Sequence, residues 1–200
     1  KMYTTFMAKP HGKEPGSAMH IHQSIVDKKT RQNIFSNPDG TPSPLFFAHI
    51  AGLQKYLPAA MALFAPNVNS YRRITRAALA PINVQWGYDN RTAGLRVPVS
   101  NPENRRVENR VGGADANPYL AIAASLACGY LGMVEGLQPT DPISGSAHDL
   151  RAVRERCANG DRGVHAGDDV GNRHAGALRA AAGCAVGLAV DGGEPRHGLG

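Results

Sequence analysis

The stretch Gly16-Ser17-Ala18-Met19-His20-Ile21-His22-Gln23-Ser24 alternates polar and apolar side chains with a period of two, the pattern of a strand with two unlike faces. His20, His22 and Ser24 share one face; Met19 and Ile21 take the other. Two imidazoles and a hydroxyl are costly to bury without partners, so their face either borders solvent at a sheet edge or lines a cleft. Imidazole can ligate a divalent metal, donate to phosphate, or pair with a carboxylate.

A second stretch repeats the arrangement. In Arg105-Arg106-Val107-Glu108-Asn109-Arg110-Val111, the side chains of Arg106, Glu108 and Arg110 fall on one face and Val107 and Val111 on the other. A carboxylate between two guanidiniums is often a surface ladder of little worth, but neighbouring positive charge also holds a metal-binding carboxylate ionised. Leu95-Arg96-Val97-Pro98-Val99 offers one arginine opposite an apolar face, and Asn90-Arg91-Thr92 another just before it. Three strands, each presenting arginine, carboxylate or imidazole on a single face, point to a convergent site for an anionic ligand with Mg²⁺, whose preferred ligands are oxygens.

Strand-like alternation runs over residues 17–26, 82–99 and 105–111, with Asp89-Asn90 and Gly94 dividing the middle stretch into two strands and a turn. Ser43-Pro44 is a helix-opening pair, and the helix it opens runs through Leu53 and Tyr56 until Pro58 kinks or breaks it; Ala59–Phe64 resumes. Asn117-Pro118 opens a second helix, Tyr119–Leu137, apolar all round and so expected to be buried. The class is α+β.

The 200 residues carry a formal charge of +6, of which +5 falls in residues 1–150. Arginines in short clusters (Arg72-Arg73, Arg91, Arg96, Arg105-Arg106, Arg110), set in strand-like patterns, suit a pocket for phosphates and carboxylates better than a duplex, so nucleic acid is not expected as a partner. No apolar run approaches the roughly 20 residues of a membrane span, and no signal peptide opens the chain. Cys128, Cys157 and Cys184 are too scattered for a disulfide framework, which makes a reducing cytoplasm the expected compartment. The chain opens Lys1-Met2-Tyr3 in mid-pattern, as a piece of something longer would. Residues 151–200 hold 11 Gly and 10 Ala and lack Ser, Thr, Lys and every aromatic, with at best a weak helix over 175–190. They read as an out-of-frame or degraded C-terminus, or a natural flexible tail, without chemistry of their own.

The motifs Phe6-Met7-Ala8-Lys9-Pro10 and Gly16–Ser24 resemble the ATP-binding signature of the glutamine synthetase family. Asn69-Ser70-Tyr71-Arg72-Arg73, Asp89-Asn90-Arg91-Thr92, Arg105–Arg110 and Ala116-Asn117-Pro118-Tyr119-Leu120 follow in that family's order. Pro81–Tyr88 and Cys128-Gly129-Tyr130 look most like its γ-glutamylpolyamine (γ-glutamylputrescine) synthetase branch. The resemblance implies that residues 1–148 form the C-terminal half of a catalytic domain, antiparallel strands backed by helices, with 149–200 a Gly/Ala/Arg-rich tail.

It also implies an ATP-dependent ligase that forms γ-glutamyl phosphate and lets an amine displace the phosphate, with Mg²⁺ or Mn²⁺ as cofactor and a homo-oligomeric parent. By motif, His20 and Glu108 would ligate the metal. His22, Ser24 and Arg106 would contact ATP, Arg91 and Arg96 would act on its transferring phosphates, and Gly16, Arg73 and Arg110 would hold glutamate. The family's substrate-binding Asn is Pro15 here, a nucleotide-binding Lys is Glu103, and the mobile-loop Glu of ammonia-using members is Leu79, which favours a polyamine such as putrescine as acceptor over ammonia. The remaining metal ligands belong to the family's upstream half. Glu14 and Glu103 do not match them, so the fragment alone is expected to be inactive.

Overall fold

The protein is described by a computed structural model over residues 1–75 and 80–149; Leu79 and the helix expected over 175–190 lie outside the described residues. Helix α1, Pro44–Tyr56, starts where Ser43 Oγ accepts the Phe46 amide at 3.2 Å, with Pro44 at a position that needs no donor. After the Pro58 break the chain resumes as α2, Met61–Phe64, and then α3, Val68–Arg73. Asn67 caps α3 through its side chain, and its own amide donates to Ser70 Oγ at 3.2 Å, a capping box. Arg72 and Arg73 thus end a short helix instead of lying in a strand, because the cap at Asn67 fixes helical geometry ahead of them.

Four three-residue strands form one sheet among the described residues: β1 Ile21–Gln23, β2 Trp86–Tyr88, β3 Leu95–Val97 and β4 Val107–Asn109, in the order β1-β4-β3-β2. Each is shorter than its alternating stretch, although isolated bridges Ala18–Gly113 and Val26–Asn33 prolong the β1 region. Pairings β1/β4 and β3/β4 are antiparallel, as expected; β2/β3 is parallel. The 89–94 link makes this possible without a long crossover. Asp89 turns the chain at φ 46°, Asn90 Oδ1 accepts the Thr92 amide at 3.0 Å, and a Cβ on Gly94 would stand only 2.0 Å from the Asn83 carbonyl oxygen. The outer edge of β2 is covered by residues 140–147, where the Ile143 amide donates to the Trp86 carbonyl at 2.8 Å and the Trp86 indole donates to the Thr140 carbonyl at 2.6 Å.

Helix α4, Pro118–Glu135, opens on Asn117, whose Oδ1 accepts the Tyr119 and Leu120 amides, and closes on Gly136 at φ 62°. It crosses α1 at a contact built from small residues. A Cβ on Gly132 would lie 2.4 Å from the Gly52 Cα, and one on Gly129 would lie 2.0 Å from the His49 ring. The core between these helices and the sheet holds Phe35, Phe46, Ile50, Leu53, Leu57, Phe64, Ile82, Trp86, Leu95 and Val107.

The expectation of a wholly buried α4 fails. Ala121, Ala124, Ser125, Cys128, Gly129 and Gly132 face inward, whereas Tyr119, Leu120, Ile122, Leu126, Tyr130 and Val134 are exposed. A glycine–glycine crossing brings the backbones together on one side only, so the bulkier side chains are left on the other. By length and composition alone α4 would also suffice to cross a membrane (18 residues, mean hydropathy 1.2), contrary to the sequence expectation; its small-residue stripe is spent on α1.

Candidate functional site

The sheet register sets His22 opposite Glu108, and Glu108 opposite Arg96, in one row across β1, β4 and β3. Alternation sends Ile21, Val107, Leu95 and Val97 to the core and leaves that row on the other face. Glu108 is its centre and is itself buried. Its Oε2 accepts from Arg96 Nη1 at 2.8 Å; its Oε1 accepts from Arg110 Nη1 at 2.8 Å and lies 3.0 Å from His20 Nδ1 and 3.9 Å from His22 Nε2. Burial alone would raise the Glu108 carboxyl, but the Arg96 hydrogen bond and the charges of Arg110 and Arg96 outweigh it and hold the group below its ordinary value. Burial, then the Arg110 charge, lowers His20, against the pull of Glu108. At neutral pH the pair is a carboxylate beside a neutral imidazole.

Arg106 Nε donates to His22 Nδ1 at 3.3 Å, which ties the ring to the residue just before β4. Arg96 also reaches Asp89, through Nε at 3.0 Å and through Nη2. That hydrogen bond, and then the Arg96 charge, lowers the Asp89 carboxyl, with Arg91 adding a smaller effect. Arg91 itself is exposed on the turn, and Ser24 is exposed one step beyond Gln23.

Arg73 comes to the same neighbourhood from α3. It is buried, donates through Nη2 to the Val111 carbonyl, and is pushed down to about 10 by burial, with Asp115 opposing the shift. Gly16 lies against it: a Cβ there would stand 2.5 Å from the Ala8 carbonyl oxygen and 2.7 Å from Arg73 Cγ. The approach is fixed by Lys9 and Asn69, which exchange hydrogen bonds at 2.9 Å each way. Two motifs far apart in sequence are thereby clasped together. Among the described residues, the buried Nε atoms of Arg73 and Arg110 have no hydrogen-bond partner.

The structure therefore gathers His20, His22, Glu108, Arg96, Arg106, Arg110, Arg73 and Gly16, and leaves Ser24 and Arg91 exposed. Several residues of the neighbourhood escape sequence reading. Asp89 resembles any turn carboxylate. Asp115, which accepts from Ser70 Oγ at 2.7 Å, sits in a glycine-rich turn. Gln23 and Asn109 are polar residues on strand faces that should be apolar, and that misfit was the available signal. Arg105, adjacent to the site in sequence, serves structure instead: it binds Ser36 Oγ at 2.5 Å and the carbonyls of Gly40 and Thr41.

Among the described residues no three His, Cys, Asp or Glu side chains converge on one metal position. The donors that are present suit part of a divalent-metal shell: one ionised, buried carboxylate and one neutral imidazole within 3.0 Å of it.

Residues 1–162 match the glutamine synthetase catalytic domain. The chain is 46% identical over 72% of its length to the gamma-glutamylputrescine synthetase of Escherichia coli, covering 29% of that protein. It is 43% identical over 74% of its length to the glutamate–isopropylamine ligase of a Pseudomonas species, covering 33%. To the glutamine synthetase of Thermococcus kodakarensis it is 38% identical over 77% of its length, covering 34%. The chain spans about a third of the length of these curated relatives. Matched over residues 1–162, and with the described part of that region folded around the Glu108 cluster, the chain belongs to the glutamine synthetase family.

Proposed function

We propose that this chain is part of an ATP-dependent glutamate–amine ligase that makes a γ-glutamyl amide through γ-glutamyl phosphate. The observation that carries the reading is the surplus of guanidinium around Glu108. Arg73, Arg96, Arg106 and Arg110 converge, and two of them keep a buried donor unspent. A buried donor without a partner is costly unless a ligand satisfies it. Such a cluster stabilises the negative charge that spreads over a phosphoryl group in transfer, with little covalent work required of the protein.

In this reading Arg73, Arg110 and the close-packed backbone at Gly16 hold the carboxylates of glutamate. His22, Ser24 and Arg106 orient the nucleotide, and Arg91 and Arg96 stand toward its transferring phosphates. His20 and Glu108 hold a divalent metal, Mg²⁺ or Mn²⁺, which when bound neutralises phosphate charge. The complete enzyme acts as a cytoplasmic homo-oligomer on small-molecule substrates.

For the acceptor, we favour an organic amine such as putrescine. Two of the relatives are named for joining glutamate to an organic amine, and the family resemblance sets Leu79 where ammonia-using members have a carboxylate. Ammonium needs a negative partner and a base, and an apolar side chain supplies neither. Initial rates of the complete enzyme with putrescine, isopropylamine and ammonia, at saturating ATP and glutamate, test this. Higher kcat/KM for putrescine supports it; preference for ammonia makes the enzyme a glutamate–ammonia ligase instead. ATP binding without turnover on any amine makes it a non-catalytic nucleotide-binding homologue.

A further inference from the structure

Behind the sheet, directly under the His22–Glu108 pair, three polar side chains are buried where apolar ones would pack. Ser125 of α4 donates through Oγ to Gln23 Oε1 at 2.6 Å and accepts from Asn109 Nδ2 at 2.9 Å. All three are buried, with exposures of 0–3%. Asn109 Oδ1 in turn accepts the Val111 amide at 3.1 Å, and the Val111 carbonyl accepts from Arg73. We propose that Ser125 is a positioning residue: one hydroxyl on α4 sets the spacing between His20, His22 and Glu108, and through Val111 the placement of Arg73. The proposal rests on the reading of His20 and Glu108 as metal ligands.

The argument is geometric. Gln23 follows His22 and Asn109 follows Glu108, so each polar pair projects from opposite faces of its strand at adjacent positions. Fixing Gln23 and Asn109 to one atom behind the sheet fixes how His22 and Glu108 face each other in front. Hydrophobic packing in their place would stabilise the sheet at least as well but would tolerate sliding, since it has no preferred direction. Metal–ligand distances tolerate only about 0.2 Å. Strands of three residues have few ladder bonds with which to hold such tolerances, and the Ser125 hub supplies the missing constraint.

The test is Mn²⁺ binding by the complete enzyme, read as the fall in the free-ion EPR signal. Ser125→Ala is expected to weaken Mn²⁺ binding by about tenfold, the usual effect of removing a group that orients a ligand, and Ser125→Thr, which keeps the hydroxyl, to restore it. If Ser125→Ala does not fold, Gln23→Met removes the same hydrogen bond at similar volume and carries the same expectation. Ser43→Ala, which weakens the α1 cap away from the site, is the control for destabilisation and should leave affinity unchanged. Unaltered affinity in the folded Ser125→Ala or Gln23→Met protein overturns the proposal, as does an equal loss in Ser43→Ala. Binding that is absent in the unsubstituted enzyme, or indifferent to Glu108→Gln, overturns the ligand reading itself. Binding lost in Glu108→Gln but untouched in Ser125→Ala overturns only the role of Ser125.

Discussion

His20 Nδ1 lies 3.0 Å from Glu108 Oε1, across the antiparallel pairing of β1 with β4. The contact joins the two alternating stretches of the sequence into one face, and Arg96 and Arg110 complete the shell around the carboxylate.

Glu108→Ala in the complete enzyme should lower kcat/KM by at least about 100-fold, since in the proposed reading it removes a metal donor, and it strands two guanidiniums. Glu103→Ala, in the exposed turn at Pro102–Asn104, should change stability by under about 0.5 kcal/mol and leave turnover nearly intact. Steady-state kinetics on the two variants compares them. Equal losses would mean that the Glu108 face is not the reacting face.

The isolated 200-residue chain should show no appreciable ligase activity. In the proposed reading the metal donors it assembles among the described residues are His20 and Glu108, and a hard cation held by so few protein groups binds weakly. Incubation with glutamate, ATP and hydroxylamine, followed by the γ-glutamyl hydroxamate colour, decides it; colour above background would refute the expectation.

The α1–α4 crossing should be intolerant of a single methyl group. A Cβ on Gly132 would stand 2.2 Å from the Ala48 carbonyl oxygen, and neither helix backbone can yield locally. Gly132→Ala should cost about 3 kcal/mol or more, at the upper end for overpacking. Gly136→Ala meets no atom within 4 Å and pays only for its left-handed backbone at φ 62°, about 1 kcal/mol. Urea denaturation ranks the two; the reverse order would contradict the packing.

His49 should make stability depend on pH. Its ring is fully buried against Phe35 and Gly129, both nitrogens lack partners among the described residues, and burial pushes it down to about 4 from 6.5. The unfolded chain therefore takes up a proton at a pH where the folded chain does not. The contribution is fully present above pH 6.5 and is lost as pH falls toward 4, amounting to about 3 kcal/mol across that window. His49→Leu should flatten this part of the profile. Urea midpoints at a series of pH values measure it, and an unchanged slope in the variant would assign the dependence to other groups.

Period-two alternation assigns His20, His22 and Ser24 to one face and Arg106, Glu108 and Arg110 to another, because side chains of a strand alternate whatever it pairs with; within the strands that form, His22 and Glu108 stand opposite each other. Local hydrogen-bonding groups likewise placed the helix starts: Ser43 and Asn117 cap α1 and α4 because their oxygens reach amides two or three residues on. These are near-neighbour effects, and sequence determined them.

Pairing and depth were decided by tertiary structure. Nothing local says that β4 lies between β1 and β3, that β2 and β3 run parallel, or that Asp89 binds Arg96. Nor does composition reveal which side of an all-apolar α4 is covered; that depended on Gly52 meeting Gly132. Gln23, Ser125 and Asn109 come from three separate segments, and each alone is an ordinary polar residue. Their joint role exists only once α4 presses Ser125 against the back of the sheet, since a hydrogen bond acts over about 3 Å and the sequence carries no measure of distance between segments.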